Sequence, residues 1–117
     1  MLSKKNRLQK NSSFIATYHQ NRVVSDEFFV LYAGKNKTEG YDTKFGFIVS
    51  KKVHKRAVVR NKIKRHLREA VKLYIKENDC AFMSVILKAK PASIEADFQT
   101  SLKSVNKLLS KLAIKFI

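Results

Sequence analysis

Residues 50–70 read SKKVHKRAVVRNKIKRHLREA, and nine Lys or Arg residues, from Lys51 to Arg68, precede the first acid, Glu69. At about 100° per residue, Val59, Ile63, Leu67, Ala70, Val71 and Tyr74 fall on one side of a helix. Lys62, Lys64, Arg65, Arg68 and Lys72 fall largely opposite. The stretch therefore predicts an amphipathic helix with an apolar stripe and a basic back. The stripe needs a core to cover it, and the back needs an anion.

Working toward the N-terminus, KFGFIVS (44–50) alternates Phe45, Phe47 and Val49 and predicts a strand. KNKTEGYDT has turn chemistry around Gly40 and predicts a loop. RVVSDEFFVLYAG, ended by Gly34, predicts one strand or two short ones, with Phe28, Val30 and Tyr32 on one face and Phe29 and Leu31 on the other. The FVLY and KFGF segments together suggest an antiparallel hairpin. NSSFIATYHQ predicts a short first helix capped by Asn11 or Ser12, with Phe14 and Tyr18 on one face. Toward the C-terminus, ENDCAFMSVILKA predicts a turn and a buried strand, broken at KPAS. Ser93 is the expected cap of a last helix with Glu95 and Asp97 in its first turn. Its core stripe is Ile94, Phe98, Leu102, Val105, Leu109, Leu112 and Phe116. The order helix, strands, helix, strand, helix predicts a single domain with helices packed on a small sheet, in the α+β or α/β class.

The 117 residues carry 25 Lys plus Arg against nine Asp plus Glu, a net charge of +16. Eight Phe and four Tyr exclude a disordered basic tail. A field of one sign is best relieved by a polyanion, and nucleic acid leads over an anionic membrane because no apolar run approaches a span. The N-terminal MLSKKNRLQKNSS has charge without an apolar segment behind it and does not read as a secretory signal. Cys80 is the single cysteine, so no intrachain disulfide forms and a cytoplasmic location is expected.

The nine acids form no recognisable catalytic pair, and His19, His54 and His66 lack partners at zinc-ligand spacing. Three glycines leave no phosphate-binding loop. The chain reads as a binder. Lys55, Arg56 and Arg60 at the start of the basic helix oppose its dipole, an arrangement that makes sense when an external anion occupies the site. Phe14, Tyr18 and Tyr32 are either core or, if their face is open, a platform for stacking unpaired bases, with Lys51 and Lys52 beside the backbone.

AVVRNKIKRHLRE resembles the signature helix of the protein subunit of bacterial ribonuclease P, with Arg60, Asn61, Ile63, Lys64 and Arg65 in the pattern RN.IKR. RLQKNSSF, FVLY, VSKKV and AKPA resemble further family segments in the same order. The resemblance implies an α+β two-layer sandwich of order α-β-β-β-α-β-α, with a small, mostly antiparallel sheet and a left-handed crossover. It implies two partners, the catalytic RNA and precursor tRNA, and neither a membrane nor a small-molecule substrate. The RNA, holding most of the magnesium, would cleave the 5′ leader, and the protein alone would hold no metal and supply no catalytic residue. By position, Arg56, Arg60, Asn61, Lys62, Lys64, Arg65 and Arg68 would contact the RNA subunit. Phe14, Tyr18 and Tyr32 would line the leader cleft, with Lys51, Lys52 and Lys90 near its phosphates. Lys62 stands where the family often has Arg, and Ala89 likewise, while Tyr18 stands where Phe is common. The alternative is a ribosomal or other structured-RNA binding protein without a role in cleavage.

Overall fold

The strand that organises the sheet is the last one in the chain. The computed structural model describes residues 2–116. Its elements are α1 (Asn11–His19), β1 (Arg22–Ser25), β2 (Phe29–Ala33), β3 (Lys44–Ile48), α2 (Ala57–Glu77), β4 (Ser84–Ala89) and α3 (Phe98–Phe116), with short 3₁₀ turns at Lys4–Asn6 and Pro91–Glu95. This is the expected order. In β4, Val85, Ile86 and Leu87 are all fully buried, so the strand needs neighbours on both edges and cover on both faces. It has them: the spatial order is β1-β2-β4-β3, with β4 antiparallel to β2 and parallel to β3.

The expected hairpin of the FVLY and KFGF segments does not form, because β4 separates them. The hairpin partner of β2 is β1, paired antiparallel from Arg22↔Ala33 to Ser25↔Val30. Asp26 makes that turn tight: its Oδ1 accepts the amides of Phe28 and Phe29 at 2.8 and 2.9 Å. The loop after Gly34 instead carries the chain past β4, anchored by Lys37 N–H to the Ala81 carbonyl and Met83 N–H to the Lys35 carbonyl. Parallel β3 and β4 then require a crossover, which is α2.

One sheet face, carrying Val24, Phe29, Leu31, Ala33, Phe45, Val85, Leu87 and Ala89, is buried in the core with α2 and α3. α2 contributes Ile63, Leu67, Ala70 and Val71, the central part of the stripe read from its periodicity. α3 contributes Val105, Leu108, Leu109 and Leu112. α3 begins later than expected. Pro91–Glu95 closes as a 3₁₀ turn, Ala96 is extended, and Asp97 is the residue whose carboxylate accepts the Thr100 amide at 2.8 Å. Ser93 is buried in that turn rather than capping the helix, and Ile94 is 41% exposed rather than in the stripe. α1 also starts a residue early, with Lys10 as its N-cap and no side-chain cap from Asn11 or Ser12.

Asp26 also ties the β1–β2 turn to α3, because Ser104 donates its hydroxyl to the other carboxylate oxygen. Burial pushes this carboxyl upward, but the Ser104 hydroxyl, the two amides and nearby Lys107 outweigh it and hold it below its usual value. A carboxyl depressed in the folded state stabilises above its unfolded value, and that contribution is lost as pH falls through the folded value. Asp26→Ala should therefore cost about 1 to 3 kcal/mol at neutral pH. In denaturant titrations the gap to the parent should narrow once pH drops below the ordinary carboxylate range.

Candidate nucleic-acid interface

The outer sheet face is only partly covered. Tyr32, Ile86 and Gly46 stand in one row across β2, β4 and β3, and α1 lies over that row. At one end the Phe14 ring rests on Gly46, where an added Cβ would come within 2.6 Å of it. At the other, Tyr18 meets Tyr32 edge-on, with centroids 4.7 Å apart and planes at 74°. In the neighbouring row the buried Thr17 is bonded to Ser84 at 2.5 Å, and its hydroxyl donates to the Ser13 carbonyl. Phe14, Thr17 and Tyr18 thus share the seated face of the helix, as a spacing of three and four dictates. None of the three aromatics is in the buried core: Phe14, Tyr18 and Tyr32 are each half-buried. Burial, with Tyr32 adjacent, raises the Tyr18 phenol above its usual value, so it stays neutral.

The next row, Val30, Lys88 and Ile48, lies beyond α1 and is open, with Lys88 exposed and its neighbours half-buried. The strip continues to the end of the sheet where β3 and β4 both finish. Lys51 and Lys52, exposed in the turn after β3, lie at that end. So does Lys90, whose ammonium is held by the Asp26 carbonyl at 2.6 Å. Ala89 is 5% exposed and faces the core opposite Phe29, so it is not part of this strip. Lys88 is the cation that the sequence reading missed. Alternation along β4, with Val85, Leu87 and Ala89 facing the core, puts it on the open face.

The same end of the sheet begins α2. Val53 is buried and pins the turn, and the Arg56 amide donates to His54 Nδ1 at 3.1 Å. Arg60 reaches back to the carbonyls of His54 and Lys55 at 3.0 and 2.7 Å, so it braces this turn while keeping further N–H donors. Arg56 is the N-cap and no acid lies in the first turn. Arg56, Asn61, Lys62, Arg65 and Arg68 are exposed, and Arg60 and Lys64 are half-buried. The Arg68 guanidinium sits 5.9 Å from the Phe47 ring centroid. His66 packs edge-on against Phe98, and burial, then Lys62 and Arg65, holds it below its usual value, so it adds little charge at neutral pH.

Among the described residues the ion pairs are Lys37 with Asp79 at 2.5 Å and Lys5 with Asp42 at 4.0 Å. Both lie at the opposite end of the sheet, so none of the candidate cations is neutralised by an acid. Among the described residues no three His, Cys, Asp or Glu side chains converge to hold a metal. No helix among them is long and apolar enough to cross a membrane. Cys80 is buried as expected, and burial raises its thiol above the usual value.

The family model for ribonuclease P matches residues 2–113. The ribonuclease P protein component of Caldanaerobacter subterraneus is 35% identical over 111 residues, covering 95% of this chain and 92% of that protein. The corresponding Clostridium botulinum protein is 32% identical, covering 95% and 97%. A Staphylococcus aureus RNase P protein mutant with defective mRNA degradation activity superposes with a TM-score of 0.82 at 30% identity, over 94% of this chain and 90% of that one. The Thermotoga maritima RNase P protein, at 24% identity and a TM-score of 0.77, shares the fold.

Proposed function

Because the chain belongs to the ribonuclease P protein family, we propose that it is the protein subunit of a ribonuclease P, binding the catalytic RNA and the single-stranded 5′ leader of precursor tRNA. The observation that carries this reading is the continuity of one sheet face from the half-buried aromatics, past the exposed Lys88, to the end of the sheet where the unneutralised basic helix begins. Arg56, Arg60, Asn61, Lys62, Lys64, Arg65 and Arg68 meet the RNA subunit. Phe14, Tyr18 and Tyr32 stack leader bases, while Lys51, Lys52, Lys88 and Lys90 follow its phosphates. Two polyanions are thereby brought together, and the positive field between them relieves their repulsion.

The chemistry belongs to the RNA subunit in this reading, and magnesium is held mainly there. The chain's own part is to bind and orient. The partners are cytoplasmic RNAs, so the location is cytoplasmic.

The test is cleavage of a 5′-labelled precursor tRNA at low magnesium by a bacterial ribonuclease P RNA, with and without this protein. Product with the mature 5′ end only when both are present is the expected outcome. No stimulation, despite tight and salt-sensitive RNA binding, would reduce the reading to RNA binding alone.

A further inference from the structure

α1 divides the outer face of the sheet in two. On the side away from the Val30, Lys88 and Ile48 row, a cleft of about 480 Å³ lies between α1, the N-terminal segment and the beginnings of β3 and β4. Arg7, Lys10, Lys35 and Lys44 line it, and no carboxylate does. Leu8, Met83 and the half-buried Tyr41 add apolar and aromatic lining. None of the four cations is in either ion pair of the described residues. Arg7 is oriented by a bond from Nε to the Leu2 carbonyl at 3.1 Å, Lys44 reaches the Lys5 carbonyl only at 3.4 Å, and Lys10 and Lys35 are exposed.

A cleft of this volume is on the scale of a small-ligand pocket. It admits a base with its sugar and phosphate but not a duplex. A cationic rim with aromatic and apolar lining is the combination that holds an unpaired strand. α1 is about 10 to 12 Å across with its side chains, and that is the width a strand lying on the open strip has to cross to reach the cleft on the same sheet face.

We propose that this cleft is a second strand subsite, taking an unpaired nucleotide from the 5′-distal part of a long leader. The base packs on Tyr41, Leu8 and Met83, and the phosphates lie against Lys10, Lys35 and Lys44. The inference rests on the leader-binding reading above and adds a second point of attachment to it.

The experiment measures equilibrium binding of precursor tRNAs with progressively longer leaders to the reconstituted holoenzyme. Tyr41→Ala and the double variant Lys10→Glu/Lys35→Glu are compared with the parent. The parent should gain affinity at a leader length where both variants do not, leaving them about five- to a hundredfold weaker on long leaders and equal on short ones. Variants that track the parent at every length overturn the proposal. A loss that is equal for short leaders, long leaders and mature tRNA also overturns it, because it would place the cleft on the catalytic RNA. Anisotropy of the full chain with fluorescein-labelled oligouridylate, without any tRNA, reads the subsite independently. Weaker binding of long oligomers by the variants supports the subsite even if the holoenzyme test above shows no stimulation, whereas unchanged binding counts against it.

Discussion

Replacing Arg65 and Arg68 together by Ala is expected to weaken assembly with the RNA subunit by roughly 10²- to 10⁴-fold, at about 1.5 to 3 kcal/mol for each charge-assisted hydrogen bond to phosphate that disappears. Both side chains are exposed, three residues apart on the back of α2, and neither has an acid partner. Their removal therefore takes away an outside anion's partners and little that holds the fold. The signature is in salt: for a phosphate-dominated interface the slope of log K against log salt should fall by about one for each phosphate no longer neutralised. Filter binding across a salt series reads both numbers. Arg68 lies over Phe47, so a thermal melt of the double variant accompanies the measurement. Parental affinity with a parental melt would remove α2 as the RNA-binding surface. Arg60 is a poorer probe, since its guanidinium also holds the turn before the helix.

The second large effect is on discrimination. Phe14→Ala should lower affinity for precursor tRNA by about five- to a hundredfold while leaving mature tRNA unchanged, the range expected for losing one base–aromatic stack. The mature tRNA is the control that separates lost stacking from a loosened protein, because damage to the fold would weaken both ligands. Gly46 makes the variant interpretable. The ring rests on a residue without a side chain, so its removal exposes backbone rather than opening a cavity in the main core, which lies on the other face of the sheet. An unchanged ratio of the two affinities would show that the outer face does not hold the leader.

How far these features can be read without the fold depends on whether they are local. The stripe of α2 is legible because Ile63, Leu67, Ala70 and Val71 repeat with the helical period against an almost unbroken basic background. Phe14 and Tyr18 fall on one face for the same reason. Strand pairing is not legible. β2 and β3 are neighbours in sequence, and nothing local says that a strand from residue 84 onward will insert between them. The start of α3 is misplaced by periodicity because Ile94 and Phe98 are four apart, so the helical spacing runs straight through a 3₁₀ turn and an extended residue. Lys88 escapes notice when basic residues are weighed in runs, whereas its role follows from the alternation of a single strand. The second cleft joins residues 7–20, 34–44 and 83–84, which only the sheet topology brings together.

The place of β4 in the sheet also governs the order in which the molecule can be made. Until residues 84–89 leave the ribosome, β2 and β3 have no partner on their inner edges, because each pairs there only with β4. The basic helix is therefore complete in the nascent chain before the sheet it packs against can close. Closure depends on pairing between residues tens of positions apart, the kind that slows folding most. During that interval the chain exposes unpaired strand edges beside its highest density of positive charge, whose mutual repulsion keeps such chains apart and blunts the hazard of open edges.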